Sequence, residues 1–492
     1  MQNRIILFLL LLPILSVAQD KRDYNWVMGY NKSEATPGMD GGLISWATGE
    51  RQIHDIDHGL EFAFNNASIS SPEGDLLFYT NGCTVYDSTF NLMEGGDTIN
   101  YNEWYDQICD GSASGFQSTM VLPDPGYDDG YYILHQPLAF LEDPFDLQSI
   151  ELLYSYVDMS QGAHGAVTAW DEVYFQDTIG SGLFSACQHA NGADWWFIKN
   201  EYQSDRKYIF LLSDAGIDLV HMIAIGDTIG PSESGGGQAK FSPDGSMYAT
   251  GTAWTGVNLY DFDRETGVLS NHEQFRIRDL QLQSTGLEWS PSGQFLYYNF
   301  QGLLYQLDVW AEDIEDEITF IDTFDGFVDP FAVSFGPQQR GPDCKIYLAG
   351  GSTVQYLHVI NQPDKKGQAC DFRQHSLALP FFNDIISIPH FPNFRIDEDD
   401  VCDPTITSVF GFPVVIDDLE VYPNPARDRI SIDGNDHMGS SYTLINQTGH
   451  QVTAGVIQAD HSIDVSSLLP GLYFLKVTSD RRIDLSRIVI ER

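Results

Sequence analysis

The chain has 492 residues, of which 42% are hydrophobic and 13% aromatic, and its formal net charge is −45 at pH 7. This length exceeds that of one ordinary hydrophobic core, so we expect at least two domains, and the apolar content excludes a disordered chain. The charge excludes nucleic acid and anionic membranes as partners, because their phosphates would be repelled. Two interpretations stay open: a solubility surface suited to salty surroundings, or carboxylate loops that bind calcium as a cofactor.

Residues 1–18 have the pattern of a secretory signal peptide. Arg4 precedes an apolar run, Ile5–Leu15, and the small residues at 16–18 suit a cleavage site. The apolar run is too short to cross a bilayer. We therefore expect an exported protein whose mature chain begins near Gln19.

The stretch Ala239–Asp263 shows the unit from which the next part of the chain is built. Its alternating pattern predicts three strands, and Pro243 and Gly245 suit a tight turn between the first two. Similar turns recur 48 to 62 residues apart, at Gly74, Gly130, Gly192, Gly245, Gly293 and Asp343-Cys344. A period near 50 residues made of short strands is typical of β-propeller blades.

A propeller must close its ring so that no sheet edge stays open. We predict seven blades, with six as the alternative. The seventh would combine an inner strand at Ile385–Phe394 with outer strands from residues 24–57. The predicted domains are a signal peptide at 1–18, a β-propeller at 19–396, an acidic linker at 397–418 and a C-terminal domain at 419–492.

The C-terminal domain is also predicted to be all-β. Seven short strands in about 75 residues favour a small Ig-like β-sandwich: Leu419–Tyr422, Arg429–Ile432, Ser441–Asn446, Gln451–Ile457, Ser462–Val465, Gly471–Thr478 and Ile483–Ile490. Residues 416–492 contain 11 acidic and 7 basic side chains. Most of the negative charge therefore belongs to the propeller.

Three ordered motifs in this tail carry a family resemblance: Val421-Tyr422-Pro423-Asn424-Pro425, Leu469-Pro470-Gly471-Leu472-Tyr473-Phe474 and Arg487-Ile488-Val489-Ile490. They resemble the type A C-terminal sorting domain of the type IX secretion system of Bacteroidetes. The resemblance implies that the type IX machinery is a partner and that Pro423, Asn424, Pro425, Gly471 and Tyr473 belong to the sorting motif. It also implies passage across the outer membrane, followed by release or attachment to the cell surface.

The propeller region carries a second resemblance, spread over most of residues 24–396. It rests on His189–Trp196, the Asp261–Gly267 turn, and Gly341–Leu348 with Val359–Pro363 and Ala369-Cys370. These segments are similar to the WD-repeat-like propellers of secreted Bacteroidetes proteins. The resemblance implies a fold and an extracellular setting and little about activity.

The six cysteines include no CxxC pair, which argues against a zinc site. In an oxidising compartment an even count suggests up to three disulfides. Proximity in the sequence favours Cys83–Cys109 and Cys344–Cys370, which leaves Cys187–Cys402.

Candidate ligand-binding residues are few. His54, Asp55, Asp57 and His58 offer four metal ligands in five residues, against the alternative of a solvated loop or edge strand. Trp195 and Trp196 alternate faces on a strand, so one is expected in the core while the other suits a sugar- or peptide-binding surface. No hydrolase motif is present, since Gly111–Gly115 has Ala113 where a nucleophile elbow needs Ser.

We therefore predict an exported, cell-surface or secreted β-propeller of the binding or adhesion type, with an extracellular glycan or protein as its ligand. Peripheral association with the outer membrane fits the same interpretation. The alternative is an extracellular hydrolase or lyase that acts on polysaccharide or peptide through the propeller channel, with catalytic residues drawn from separate blades.

Overall fold

The computed structural model describes residues 20–31, 39–103, 105–109, 112–113, 115–142, 145–228, 236–253, 255–276, 285–300, 302–384, 388–396, 421–432, 440–446, 451–458, 461–466, 468, 470–478 and 483–491. The predicted signal peptide and linker lie outside these residues. The chain divides into two compact units, residues 1–408 and 409–492. Both are built from strands, as the predicted all-β class requires.

Seven small antiparallel sheets make up the first unit within the described residues. The first three contain β1–β3 (Asn25–Gly29, Gly41–Ser45, Gln52–Ile56), β4–β6 (Ala67–Ser70, Leu76–Thr80, Val85–Asp87) and β7–β11 (Thr119–Pro123, Gly130–His135, Ala139–Glu142, Phe145–Asp158, Ala166–Gly180). The next two contain β12–β15 (Ser185–Gln188, Trp195–Asn200, Arg206–Ser213, Gly216–Ala224) and β16–β19 (Gly237–Phe241, Met247–Thr252, Gly256–Asp263, Val268–Phe275). The last two contain β20–β23 (Gly286–Trp289, Phe295–Phe300, Leu303–Asp308, Thr319–Thr323) and β24–β27 (Gln338–Arg340, Ile346–Leu348, Val354–Ile360, Phe372–Asn383).

The helices in the described residues are short: α1 (Tyr105–Ile108) and two 3₁₀ turns at Glu315–Glu317 and Gly367–Cys370. None of the helices among those residues has the length and apolar character needed to cross a membrane.

These sheets are the blades of a seven-bladed β-propeller. The first strands β12, β16, β20 and β24 contact one another in turn, and β4 contacts β7 in the same way. Neighbouring first strands run parallel, since β16 and β20 are joined from Thr285 Oγ1 to Gly236 O (3.1 Å) and from Trp289 Nε1 to Lys240 O (3.4 Å). The innermost strands therefore surround a central channel, as in other propellers.

Each of the six predicted turns joins the first and second strand of a blade. In the fifth blade Gly245 has φ +69°, and its N–H donates to Ser242 O at 2.9 Å. The blade formed by β24–β27 has Cys344 at this place, with φ +60° and its N–H donating to Gly341 O at 3.0 Å. A left-handed conformation is uncommon for a residue with a Cβ, so the turn geometry is retained there at some cost.

The ring closes between the two ends of the propeller chain. Strand β1 runs antiparallel to β4, because Asn25 contacts Ser70 and Ser68 while Val27 O accepts from Asn66 Nδ2 (2.7 Å). Because neighbouring first strands run parallel, a strand antiparallel to β4 has the orientation of a second strand. Strands β1, β2 and β3 each contact β27 of the last blade. The outer strands of the closing blade thus come from residues 24–57, as predicted.

The predicted inner strand at Ile385–Phe394 is wrong over its described part. Residues 385–387 lie outside the described residues, and 388–394 contain no strand beyond one isolated bridge between Asn393 and Cys187. This segment instead bonds across one end of the channel, through His390 N to Asn66 O (3.3 Å) and Asn393 N to Ala186 O (2.9 Å). Proline at 389 and 392 removes the donors that a continuous strand needs.

Amide side chains link the inner strands across the channel. Gln238 Oε1 accepts from Leu287 N (2.8 Å) and Gln338 N (2.7 Å), and its Nε2 donates to Gln338 O (2.8 Å). Gln117 makes a similar pair of bonds with Ala239 O (3.3 Å) and Ala239 N (2.8 Å). These side chains bond to blades two positions away, so they occupy the centre of the ring.

The second unit is a two-sheet sandwich. One sheet has the order β28-β29-β32 (Val421–Tyr422, Arg429–Ile432, Ser462–Asp464) and the other β31-β30-β33-β34 (Gln451–Val456, Ser441–Asn446, Gly471–Thr478, Ile483–Ile490). Buried side chains such as Ile430, Leu444 and Leu475 form its core. Seven strands in two antiparallel sheets are compatible with the predicted Ig-like fold.

The Gln238→Ala variant should unfold more easily than the unsubstituted protein by about 2–4 kcal/mol, because two buried backbone N–H groups lose their acceptor. Urea unfolding followed by tryptophan fluorescence measures this in the propeller alone, since all nine tryptophans lie before residue 311. The exposed Gln161→Ala is the matched control, and equal losses in both variants would contradict the role given to the channel amides.

Candidate functional site

The second and third blades depart from the four-stranded pattern of the blades that follow them. The second has three strands where most have four, and residues 88–118 follow its last strand as a long connection. In the third, β10 and β11 extend to 14 and 15 residues. The connection packs on β11, where Val167 N donates to Glu94 O at 2.8 Å.

A disulfide fixes this connection. Cys83 and Cys109 are bonded, with their Cα atoms 5.8 Å apart, which confirms the predicted pair. Cys83 O also accepts from Ile99 N (2.9 Å) and from the Tyr105 hydroxyl (3.3 Å). The cross-link removes conformations that an open loop would sample when unfolded, so the loop is held against the blade.

Three aromatic side chains lie on this connection and on the neighbouring strand β11, Tyr101, Tyr105 and Trp170, and we call them the aromatic patch. Tyr101 is 68% exposed and Trp170 47% exposed. The Tyr101 and Tyr105 ring centroids lie 5.5 Å apart, and Trp170 Nε1 donates to Gly95 O at 2.6 Å. Large aromatic faces held open to solvent on fixed backbone are typical of binding surfaces.

Asp171 fixes the backbone that carries Tyr101 of the patch. Its carboxylate accepts hydrogen bonds from Asn100 N (2.7 Å) and Tyr101 N (3.0 Å), and its own N–H donates to Ser155 Oγ (3.2 Å). Asp171 has φ +52° and Asn100 has φ +65°. Two adjacent non-glycine residues in this strained region persist only where their surroundings hold them, and such positions cluster at functional sites.

His135 lies behind Asp171 in the core. Its Nδ1 contacts Asn100 Oδ1 at 3.2 Å, and its Nε2 lies 3.0 Å from Ser155 Oγ and 3.5 Å from Asp171 Oδ1. Burial lowers the pKa of His135 to about 4, although the Asp171 carboxylate opposes the shift. The ring is therefore neutral at neutral pH and acts as a fixed hydrogen-bonding partner.

The four predicted metal ligands do not converge. His58 is fully buried, with Nε2 2.8 Å from Met28 O and Nδ1 accepting from Leu60 N (3.3 Å). Burial lowers the pKa of His58 to about 4. His54, Asp55 and Asp57 are exposed, and no group of three or more ligating side chains suited to a metal occurs among the described residues. Calcium binding stays a prediction that this geometry does not support.

The other two predicted disulfides are wrong. Cys187 is a free thiol buried on inner strand β12, and Cys370 is a free thiol buried in the Gly367–Cys370 turn. Cys344 is disulfide-bonded, but Cys370 is not its partner, and Cys402 lies outside the described residues. Proximity in the sequence failed here because Cys344 lies in the turn between β24 and β25, whereas Cys370 lies in the turn between β26 and β27.

The expectation for Trp195 and Trp196 is also wrong in part. Both are buried, with exposures of 3% and 2%, so neither lines a binding surface. Trp196 packs against the turn at Gly267, and its Nε1 donates to Arg264 O at 2.7 Å. Adjacent strand residues are both buried because neighbouring blades cover each face of a blade.

In the second unit the three sequence motifs meet. Asn424 Nδ2 donates to Arg487 O (2.6 Å), Val489 N donates to Asn424 Oδ1 (2.9 Å), and β33 pairs with β34 so that Gly471 lies opposite Ile490 and Tyr473 opposite Ile488. Pro423, Asn424 and Pro425 are exposed, whereas Tyr473 is buried in the core. Motifs separated by up to 70 residues thus form one edge of the sandwich.

The tail has a family match that agrees with this arrangement. Residues 420–491 match the secretion system C-terminal sorting domain. This chain therefore carries a sorting domain for secretion. The match covers the tail and does not extend to the propeller.

The solved structures similar to the chain include three distant bacterial proteins. A protein from Lactobacillus plantarum is 12% identical with a TM-score of 0.45, covering 74% of this chain and 97% of that chain. A putative 6-phosphogluconolactonase from Bacteroides uniformis is also 12% identical with a TM-score of 0.45, covering 74% of this chain and 97% of that chain. A periplasmic gluconolactonase from Pseudomonas aeruginosa is 13% identical with a TM-score of 0.41, covering 75% of this chain and 98% of that chain. No curated protein matches the sequence. At these scores the names carry no argument about activity.

The stability of the propeller should fall as the pH drops below 6.5. His135 binds a proton in the unfolded chain near pH 6.5 but in the folded protein only near its pKa of about 4, so acid favours unfolding between these values. From about pH 7.5 to about pH 5.5 this histidine alone should cost about 1.3 kcal/mol.

The His135→Gln variant should reduce the pH dependence of urea unfolding by that amount, whatever its stability at neutral pH. The exposed His164→Gln serves as the control and should keep the full dependence. An unchanged slope in His135→Gln would show that the buried ring is already protonated or that it is not buried in solution.

Proposed function

We propose that the protein is exported through the type IX secretion system and binds an extracellular glycan or protein through the aromatic patch of its propeller. The sorting domain at 420–491 supports secretion. The cell surface or the medium is the destination that such a domain serves, with peripheral association to the outer membrane where the protein is retained.

The observation that carries the binding proposal is the exposure of Tyr101 and Trp170 on backbone fixed by the Asp171 carboxylate. Ordering flexible side chains on binding is costly, so a preformed aromatic surface binds better than a mobile one. Aromatic rings stack on the apolar faces of sugar rings and on the side chains of peptides, and hot spots are rich in Trp and Tyr.

The channel fits a catalytic centre less well. Its acidic residues Asp23 and Glu288 are 5% and 4% exposed, and each is paired with a cation, Arg395 and Lys240 respectively. Glycoside hydrolysis needs a pair of carboxylates open to substrate. The hydrolase or lyase alternative is tested directly by assaying the secreted protein for turnover of polysaccharides and peptides.

Deleting residues 419–492 should leave the protein in the periplasm, because the sorting edge formed by its three motifs is removed. Cell fractionation and immunoblotting of the medium, surface and periplasm measure the distribution. Tryptophan fluorescence of the retained protein checks that the propeller is still folded. Unchanged delivery to the surface or medium would contradict the assignment.

The Tyr101→Ala and Trp170→Ala variants should each bind at least about 10-fold more weakly than the unsubstituted protein to whichever member of an array of polysaccharides and matrix proteins it binds. Trp310→Ala is the matched control, since Trp310 is 65% exposed on another blade. The proposal fails if the array shows no binding, or if the control weakens binding as much as the patch variants do.

A further inference from the structure

A small cavity lies at one end of the central channel, and several charged side chains line it. It measures about 30 Å³ and lies between the ends of the inner strands and the segment Phe391–Arg395. Ionisable side chains contribute much of the lining: Asp23, Lys240, Glu288, Arg340 and Arg395. All five are at least nine-tenths buried.

Two of the three cations have carboxylate partners. Lys240 Nζ lies 2.9 Å from Glu288 Oε2, and Arg395 pairs with Asp23. The Glu288 oxygens also accept from Trp289 N (2.9 Å) and Arg340 N (3.0 Å). The carboxylates are therefore engaged, and the five groups together carry one excess positive charge.

Arg340 is the cation without a partner. Its guanidinium makes no ion pair or hydrogen bond within the described residues, and its Nη1 is among the buried atoms without an acceptor. Among the described residues, Arg395 Nη1 is likewise a buried donor without an acceptor, and Asp23 Oδ1 is a buried acceptor without a donor. A buried N–H group without an acceptor is unfavourable, so an acceptor in the cavity would stabilise both guanidinium groups.

We propose that this cavity binds a small monovalent anion of halide size, chloride in ordinary surroundings, between Arg340 and Arg395. The volume accommodates one or two water-sized particles, which suits a single halide ion. Water can accept from both guanidinium groups, but it leaves the excess charge unbalanced, whereas an anion accepts from both and neutralises it.

The anion would join two parts of the ring that are far apart in sequence. Arg395 belongs to the segment that crosses the channel, and Arg340 ends the inner strand β24 of the last blade. The overall charge of −45 repels anions from the rest of the surface, so chloride uptake by this protein points to a local site.

The test compares the secreted full chain in sodium chloride and in sodium gluconate at equal ionic strength, which keeps general screening constant. Chloride should raise the Tm of the tryptophan transition by about 1–3 °C at concentrations several times Kd. The ³⁵Cl resonance should broaden in the presence of the protein, and bromide should reverse the broadening by competition.

The Arg340→Gln variant should lose both the chloride-dependent rise in Tm and the broadening, while Arg373→Gln, a 66% exposed arginine side chain, should keep both. If Arg340→Gln does not fold, the ³⁵Cl and bromide measurements on the unsubstituted protein still decide. Equal melting in the two salts without broadening means that the cavity holds water only and overturns the proposal. Broadening that survives in a folded Arg340→Gln places the anion elsewhere and also overturns it.

Discussion

Closure of the ring is the constraint on which the rest of the propeller depends. A blade exposes two apolar faces and buries them only between two neighbours, so the first and last blades must meet. Here the meeting surface is aromatic: Trp26 and Trp46 lie 4.8 Å apart by ring centroid, and Tyr347 of the last blade packs on Trp26 at 5.5 Å. The buried pair between Arg395 and Asp23 ties residues 372 positions apart at the same joint.

The channel shows how such a ring is filled. Apolar side chains cannot converge at the axis without leaving the edges of the inner strands unbonded, and backbone groups there need partners. Gln117 and Gln238 supply both a donor and an acceptor to those strands. A channel filled by structural hydrogen bonds has little room for a substrate, which moves the binding surface outward to the loops and the outer strands.

The sequence predicted the regular part of the fold well and the irregular part poorly, for physical reasons. Turn chemistry at positions such as Gly245 is local, so a repeat of turn and strand was visible without any contact information. The Cys344–Cys370 pairing was wrong because disulfides depend on three-dimensional proximity, which sequence distance does not measure. In the tail, Asn424 and Tyr473 were recognised as motif residues, but their meeting at one sandwich edge follows only from strand pairing.

The aromatic patch could not be predicted from the sequence, because its residues belong to no recognisable motif. Tyr101 and Trp170 are 69 positions apart, and only the packing of the 88–118 connection on β11 brings them together. Two signals in the sequence pointed toward this region: the Cys83–Cys109 spacing and the longest interval between blade turns, from Gly130 to Gly192. Irregular spacing in a repeat indicates inserted residues. Inserted residues do not have to pack between neighbouring blades, so they can form a binding surface.

Four of the eleven non-glycine residues with positive φ among the described residues lie in this region: Phe90, Asn100, Gln117 and Asp171. Asn and Asp adopt left-handed conformations more readily than other residues with a Cβ, but at Asn100 and Asp171 the surroundings still have to hold the conformation. The surroundings that hold them are a disulfide, a buried neutral histidine and a carboxylate with two backbone donors. These groups fix the direction in which Tyr101 and Trp170 project. Rigidity of this kind is of use when a ligand must meet the two rings at a set spacing.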